Sequence, residues 1–297
     1  MRAEDVQVVN VFAASPGGGN PAPIVLDAAG MSDAEMQAVA VSSGHESAFV
    51  LPPRAGSMDD FEFRFWVPKH EMSMCGHATI GAVWLLHRAG QLPSSEVKIG
   101  TASGRVLARI DDADPAHVVV EISQPEGIVE PLPDPIITRA DICEILGTSL
   151  SELAELPVLN ARTSRTKTLI PMRSVAALAA LAPRFDRIEA FCTRISSTGL
   201  YPYAVIDQES RRFDARQFPQ SSGYPEDPAT GIAAAALAFG LVHAGIAERT
   251  ADAIFISQGV AMGRPSTISV RFESRDSSGG CWIGGSAELN TQPVNSL

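Results

Sequence analysis

Cysteine is scarce in this chain. Its four copies, Cys75, Cys143, Cys192 and Cys281, stand singly. With no Cys-x-x-Cys spacing and no secretory context, they give no disulfide framework and no structural zinc site, and they point to reduced thiols in a cytoplasmic protein. Excess positive charge is missing as well. The 23 Lys and Arg residues stand against 34 Asp and Glu, a formal net charge of -11, which argues against a nucleic-acid surface and an anionic-membrane partner. Any anion must therefore be bound locally. The longest small-apolar run, near Ile232 to Val242, is too short to span a bilayer. The N-terminal MRAEDVQVVNVF lacks the basic head and long apolar core of a leader, so a soluble chain is expected. What remains is 297 residues, 45% hydrophobic and 19% charged, enough to bury a large core and suggesting two domains.

The stretch Glu71 to Arg88, EMSMCGHATIGAVWLLHR, is the organising centre. A short loop carrying Cys75, Gly76 and His77 opens into an almost wholly apolar helical run, and a helix apolar all round must be buried. Its first turn offers free backbone N–H groups at the positive end of the macrodipole, so a buried start with a Gly is a seat for an anion flanked by Cys75 and His77. The purely structural alternative is a core helix with a buried thiol and a satisfied histidine.

A second copy strengthens the first. From Glu226 the chain reads EDPATGIAAAALAFGLVHAG, again a polar loop opening into an apolar helix, about one domain length later. Strand-like FEFRFWVP (Phe61 to Pro68) and FDARQFP (Phe213 to Pro219) precede the two helices. After the first come Val97 to Ile110 and Val118 to Ser123, and after the second Ile254 to Phe272 and Cys281 to Leu289. The two halves are read as an internal pseudo-repeat, residues 1–125 and 126–297, with the last strand able to return to the first half.

In chain order, Val6 to Phe12 reads as a strand, Ser15 to Pro23 as a Gly/Pro turn, and Ile24 to Leu26 as a second strand. Ser32 heads a helix through Ala40, with Glu35 completing a capping box. Ser42 to His45 reads as a polar loop, and Glu46 leads into the strand Ser47 to Leu51, a place where a carboxylate is commonly just solvated. The Pro-rich Gln124 to Pro135 reads as a linker, and Thr138 to Leu146, Leu150 to Leu156 and Val175 to Leu181 as short helices. Phe191 to Thr193 and Ala204 to Ile206 read as strands joined by Ser197 to Tyr203. The basic run Ala161 to Arg173 is either an anion contact or a solvated strand face. Asp227 followed by Pro228 reads as an N-cap with Pro at the first helical position, or as a carboxylate that orients His77 or another proton-carrying group across a cleft between the halves.

Together, Gly19-Asn20-Pro21, Glu46 to Val50, Cys75-Gly76-His77-Ala78-Thr79, Glu226 to Gly231, Gln258 to Ser266 and Gly284-Gly285 resemble the phenazine-biosynthesis PhzF-like family over nearly the whole chain. The resemblance implies the diaminopimelate-epimerase-like fold. This is an α+β architecture of two pseudo-symmetric domains, each a curved, mostly antiparallel mixed sheet wrapped around a central buried helix. It implies an isomerase without metal or organic cofactor, whose acid/base is Glu46, supported by His77 and Asp227. His45 and Cys75, which depart from the family pattern, are further candidates for a supporting role. Backbone N–H groups around Gly76, His77, Gly231 and Ile232 would hold the carboxylate of a small metabolite, and a homodimer is implied.

Moving a proton from one carbon to another requires one carboxyl to be base and then acid. The family's dihydrohydroxyanthranilate isomerase resembles Ala-Gly-His-Pro at the first loop, Ser before the catalytic Glu, and Ser after the second loop's Gly. Here Cys75, Ala78, His45 and Ile232 stand at those places, which removes two hydroxyls and makes a different substrate the expectation. Two rivals remain. One is a two-thiol racemase, for which Cys75 has no counterpart at Asp227-Pro228, and the other is a non-catalytic metabolite-binding or scaffold module.

Overall fold

The structure, a computed structural model, describes residues 5–115, 117–134, 136–273 and 279–290. It divides into two compact units, one running to Ser123 and resuming at Gly284, the other Gln124–Ile283. The outermost residues of the expected halves, 1–4 and 291–297, lie outside the described residues.

The first unit contains β1 (Gln7–Val11), β2 (Asn20–Val25), α1 (Asp33–Ser43), β3 (Ser47–Leu51), β4 (Phe61–Trp66), β5 (Glu71–Met72), α2 (Gly76–Arg88), β6 (Glu96–Thr101), β7 (Gly104–Asp111) and β8 (Val119–Gln124). β1 pairs antiparallel with β2, β2 parallel with β3, β3 antiparallel with β4, β4 parallel with β6, and β6 antiparallel with β7, which pairs antiparallel with β8. The segment from Asn20 to Pro23 belongs to β2, not to the turn expected there. Pro21 and Pro23 pair only with β1, because the β3 partner begins at Ile24. A strand missing a neighbour on one side tolerates prolines that cannot donate.

Helix α2 is buried from His77 through Leu86, as its unbroken apolar sequence demands. Gly81 makes its approach to the sheet possible, since a Cβ there would stand 2.9 Å from Ile24 Cδ1 and 3.0 Å from Val11 Cγ2. The expected capping box on α1 is present, with Ser32 and Glu35 bonding each other's backbone N–H groups. The helix runs on through Ser42 and Ser43, which were expected to be loop, and ends at Gly44 with φ of 71°. This left-handed position suits glycine and closes the last turn.

The second unit contains β9 (Ile128–Pro131), α3 (Arg139–Leu146), β10 (Leu159–Arg162), β11 (Lys167–Pro171), α4 (Val175–Ala179), α5 (Phe185–Arg194), β12 (Gly199–Asp207), β13 (Arg212–Ala215), β14 (Phe218–Pro219), α6 (Gly231–His243), β15 (Ile254–Gln258) and β16 (Ser266–Phe272). Then comes β17 (Cys281–Leu289). The pairing sequence of the first unit recurs: β10 with β11 antiparallel, β11 with β12 parallel, β12 with β13 antiparallel, β13 with β15 parallel, β15 with β16 antiparallel. Just as β9 flanks β10, β17 flanks β1, pairing Val9 with Leu289 and Val11 with Ala287. The central helices match in length at 13 residues each, and each begins at a glycine. α6 is buried from Ala233 to Leu241, and Gly240 lies where a Cβ would stand 2.2 Å from Leu169 Cδ1.

Four local readings of the second unit change. Part of the expected linker Gln124 to Pro135 is strand β9, paired antiparallel with β10. Phe191 to Thr193 is helical, in α5, whose Ile188, Phe191 and Cys192 are buried together with Ile195. That i, i+3, i+4, i+7 spacing is a helical face, invisible in a three-residue window. Ser197 to Tyr203, read as a connection, supplies the start of β12 from Gly199, and the expected helix at Leu150 is only a 3-10 turn over Leu150–Glu152.

Candidate active site

Glu46 stands in the corner between α1 and β3. Gly44 donates to the Ala40 carbonyl at 2.9 Å, and Ser47, wholly buried, donates through its hydroxyl to the His45 carbonyl at 3.2 Å. β3 is paired on both sides, so the base of the Glu46 side chain is held by a rigid sheet. Cys75 is the residue before α2 and His77 lies in its first turn. Cys75 Sγ donates to Glu46 Oε2 at 3.0 Å, Cys75 Sγ and His77 Nδ1 are 3.4 Å apart, and His77 Nδ1 lies 3.6 Å from the same Glu46 oxygen. The Glu46 side chain keeps 18% exposure against 8% for His77, so the carboxylate is the member of the cluster that solvent reaches.

Burial pushes the His77 pKa below the ordinary histidine value, against the opposing pull of the Glu46 carboxylate and the Pro21 carbonyl. The imidazole is therefore neutral at pH 7. The start of α2 has no side-chain cap: Cys75 makes no capping bond, while Thr79 Oγ1 donates to the Cys75 carbonyl at 2.7 Å. The first N–H groups of α2 are thus available to an anion beside Glu46. The preceding loop is fixed by Ser103, whose N–H donates to the Ser73 carbonyl at 3.2 Å.

In the second unit, Asp227 is buried but is not the N-cap. Helix α6 starts at Gly231 after Thr230, again with no side-chain cap. Asp227 instead braces the loop: its Oδ2 accepts from Thr230 Oγ1 at 2.5 Å and its N–H donates to the Gln217 carbonyl at 3.1 Å. Gln258 Nε2 donates to the Asp227 carbonyl at 2.6 Å, and Gln258 Oε1 accepts from Tyr201 Oη at 3.0 Å and from the Thr230 N–H at 3.3 Å. Burial, helped by the Asp227 and Asp214 carboxylates, pushes the Tyr201 pKa well up, so the phenol keeps its proton and donates. Next to it, Glu226 forms a bidentate pair with Arg216 at 2.9 and 2.8 Å, the two side chains only 10% and 11% exposed. Gly259, at φ of 78°, would with a Cβ come within 2.3 Å of the Arg264 carbonyl and 2.6 Å of the Pro228 carbonyl. Only glycine fits there.

Residues 9–290 match the model of the family described as phenazine biosynthesis-like protein. The chain belongs to that family. Among relatives of this chain, an uncharacterized isomerase of Deinococcus radiodurans is 31% identical over 90% of this chain and 86% of its own. The trans-2,3-dihydro-3-hydroxyanthranilate isomerase of Pseudomonas chlororaphis is 28% identical over 90% of each chain. The crystal structure of the Bacillus anthracis phenazine biosynthesis protein of the PhzF family superposes with a TM-score of 0.84 over 96% of each chain, at 23% identity, which bears on the fold.

Of the residues singled out in the sequence of this family member, the first unit brings Glu46, Cys75 and His77 together, with Gly76 between the last two. His45 is half-buried one residue before Glu46. Asp227, Gly231 and Ile232 belong to the second unit, Gly231 buried and Ile232 half-buried. In the basic run, Arg162, Arg165 and Arg173 are exposed, while Lys167 is buried in β11. Missing from the sequence reading as site residues were Gln258, Tyr201, Thr230, Gln217 and the Arg216–Glu226 pair. Gln258 stood inside a quoted motif, but its side chain earns meaning only through Asp227 and Tyr201, which are far away in sequence. Gln217 is 1% exposed, and neither its Nε2 nor its Oε1 has a hydrogen-bond partner.

Proposed function

We propose that this protein is an isomerase that moves a proton between carbons of a small carboxylate-bearing substrate, with Glu46 as the single acid/base. The observation that carries this reading is the convergence of Glu46, Cys75 and His77 at the uncapped start of α2. A carboxylate that solvent can still reach is positioned beside backbone N–H groups suited to a substrate carboxylate. The neutral His77 adds no competing positive charge, so Glu46 is free to take a proton from one carbon and return it to another. Isomerase names among relatives of similar length support the reaction class.

In the same reading Asp227 supports Glu46, and Gly231 and Ile232 contribute N–H groups for the carboxylate. The substrate differs from trans-2,3-dihydro-3-hydroxyanthranilate, because His45, Cys75, Ala78 and Ile232 give the site a different set of polar groups. The reaction uses no organic cofactor. A two-thiol racemase would need a second thiol. Cys143, Cys192 and Cys281 are all buried, and burial pushes Cys192 and Cys281 up to about 12, which makes them poor proton carriers at neutral pH. The experiment is a screen of small unsaturated and α-amino carboxylates in deuterated water, followed by NMR. Deuterium entering a carbon-bound position only with enzyme present supports the isomerase. Tight binding of a carboxylate without exchange, for every ligand bound, would favour the non-catalytic module.

A further inference from the structure

Sulfur, imidazole nitrogen and carboxylate oxygen are the donor set of zinc-type ions, and Glu46, Cys75 and His77 offer one of each within 4.8 Å of one another. We propose that these three side chains bind a thiophilic divalent metal ion of the zinc type, and that the ion shuts off the proton transfer by occupying Glu46. The inhibitory part rests on Glu46 being the acid/base, as proposed above, whereas the binding part does not.

The geometry supports it. Bond lengths of about 2.3 Å to sulfur and 2.0–2.2 Å to nitrogen and oxygen put neighbouring ligands of a tetrahedral ion about 3.3–3.6 Å apart. The observed separations are 3.4 Å for sulfur to nitrogen and 3.6 Å for nitrogen to oxygen, with 3.0 Å for the hydrogen-bonded sulfur and oxygen. Replacing the S–H proton with a metal needs that last distance to open by only about 0.5 Å. His77 faces the cluster through Nδ1, and its other ring nitrogen, Nε2, is buried with no hydrogen-bond partner. Binding is balanced as follows: M²⁺ joins the Cys75 thiol, the Glu46 carboxylate and neutral His77, the S–H bond breaks, and one proton leaves to solvent. The three ligands leave the fourth position of a tetrahedron to water or a substrate atom. Thiolate excludes Mg²⁺ and Ca²⁺ as competitors.

The test is a titration of the chelator-treated full chain with Co²⁺. The result expected is one equivalent bound, with a near-ultraviolet thiolate-to-cobalt charge-transfer band and visible bands of a tetrahedral site, both bleached by Zn²⁺ and unaffected by Mg²⁺. Cys75→Ala should remove the charge-transfer band and weaken binding by at least about 100-fold, since even outer-shell partners are worth 10- to 100-fold. A measurement on wild type guards against a misfolded variant: Zn²⁺ should slow alkylation of Cys75, read by peptide mapping. Absence of the band in wild type, or a band undiminished in folded Cys75→Ala, overturns the site. A band with full activity retained overturns the inhibition alone, and a band in a protein whose exchange ignores Glu46→Gln overturns the catalytic reading while leaving the metal site standing.

Discussion

Glu46, Cys75 and His77 differ in what their replacement should reveal. Glu46→Gln keeps size and hydrogen bonding but removes the proton carrier, so turnover should fall by about 10²- to 10⁴-fold with binding largely kept. Cys75→Ser keeps a donor to Glu46 and should cost far less; a loss in Cys75→Ser that matches or exceeds that in Glu46→Gln would make the thiol the proton carrier. Gln217 offers a second residue-level test. Its buried amide lacks partners on both atoms, and an unsatisfied buried polar group costs about 1–3 kcal/mol. Gln217→Met should therefore leave the melting temperature equal or higher, and a clear drop would show that the amide is satisfied in solution. The Cys-Gly-His cluster was legible as a candidate because its members are two residues apart at a helix start, and Glu46 only through resemblance to a family. Tyr201 and Gln217 were not legible, since burial and long-range bonding alone single them out.

Elements set where those residues point. The Glu226–Arg216 pair ties the loop before α6 to β13's end, and Arg216 also donates to the Leu181 carbonyl at 3.1 Å beyond α4. The pair is largely but not wholly buried, so removing one member leaves a poorly compensated charge and should cost more than the roughly 1 kcal/mol of an exposed pair, up to about 3–5 kcal/mol. Arg216→Ala should lower the chemical-denaturation midpoint accordingly, and a shift equivalent to less than about 1 kcal/mol would show that the pair behaves as an exposed one. Gly259→Ala should also destabilise, because the new Cβ meets carbonyl oxygens that belong to backbone and cannot turn aside. Overpacking costs about 1–3 kcal/mol, and the positive φ adds strain. Unchanged stability in Gly259→Ala would mean that the loop is free to shift. Helices α2 and α6 were legible from continuous apolar runs, and α1 from its capping box. The Asp227-Pro228 pair misled, because an Asp that bonds Thr230 three residues on looks in sequence like the cap of the helix that Thr230 begins. α5 was missed because charged residues interrupt its short buried stripe.

At the scale of the whole molecule the recurring order of strand pairings makes each unit the counterpart of the other, and the duplicated loop-plus-apolar-helix pattern announced it. The sequence left open whether the last strand returns to the first half, and the chain from Gly284 does rejoin the first unit, with β17 pairing β1. Both central helices begin without a side-chain cap, so a bound carboxylate should slow amide exchange at Gly76, His77 and Ala78; no protection there on saturating carboxylate would remove α2 as its seat. Proton transfer by Glu46 is tested most directly by solvent deuterium incorporation into a carbon-bound position of a turned-over carboxylate, compared between wild type and Glu46→Gln. Enzyme-dependent incorporation that falls by at least about 10²-fold in Glu46→Gln is the predicted result, and incorporation by Glu46→Gln at the wild-type rate would contradict it.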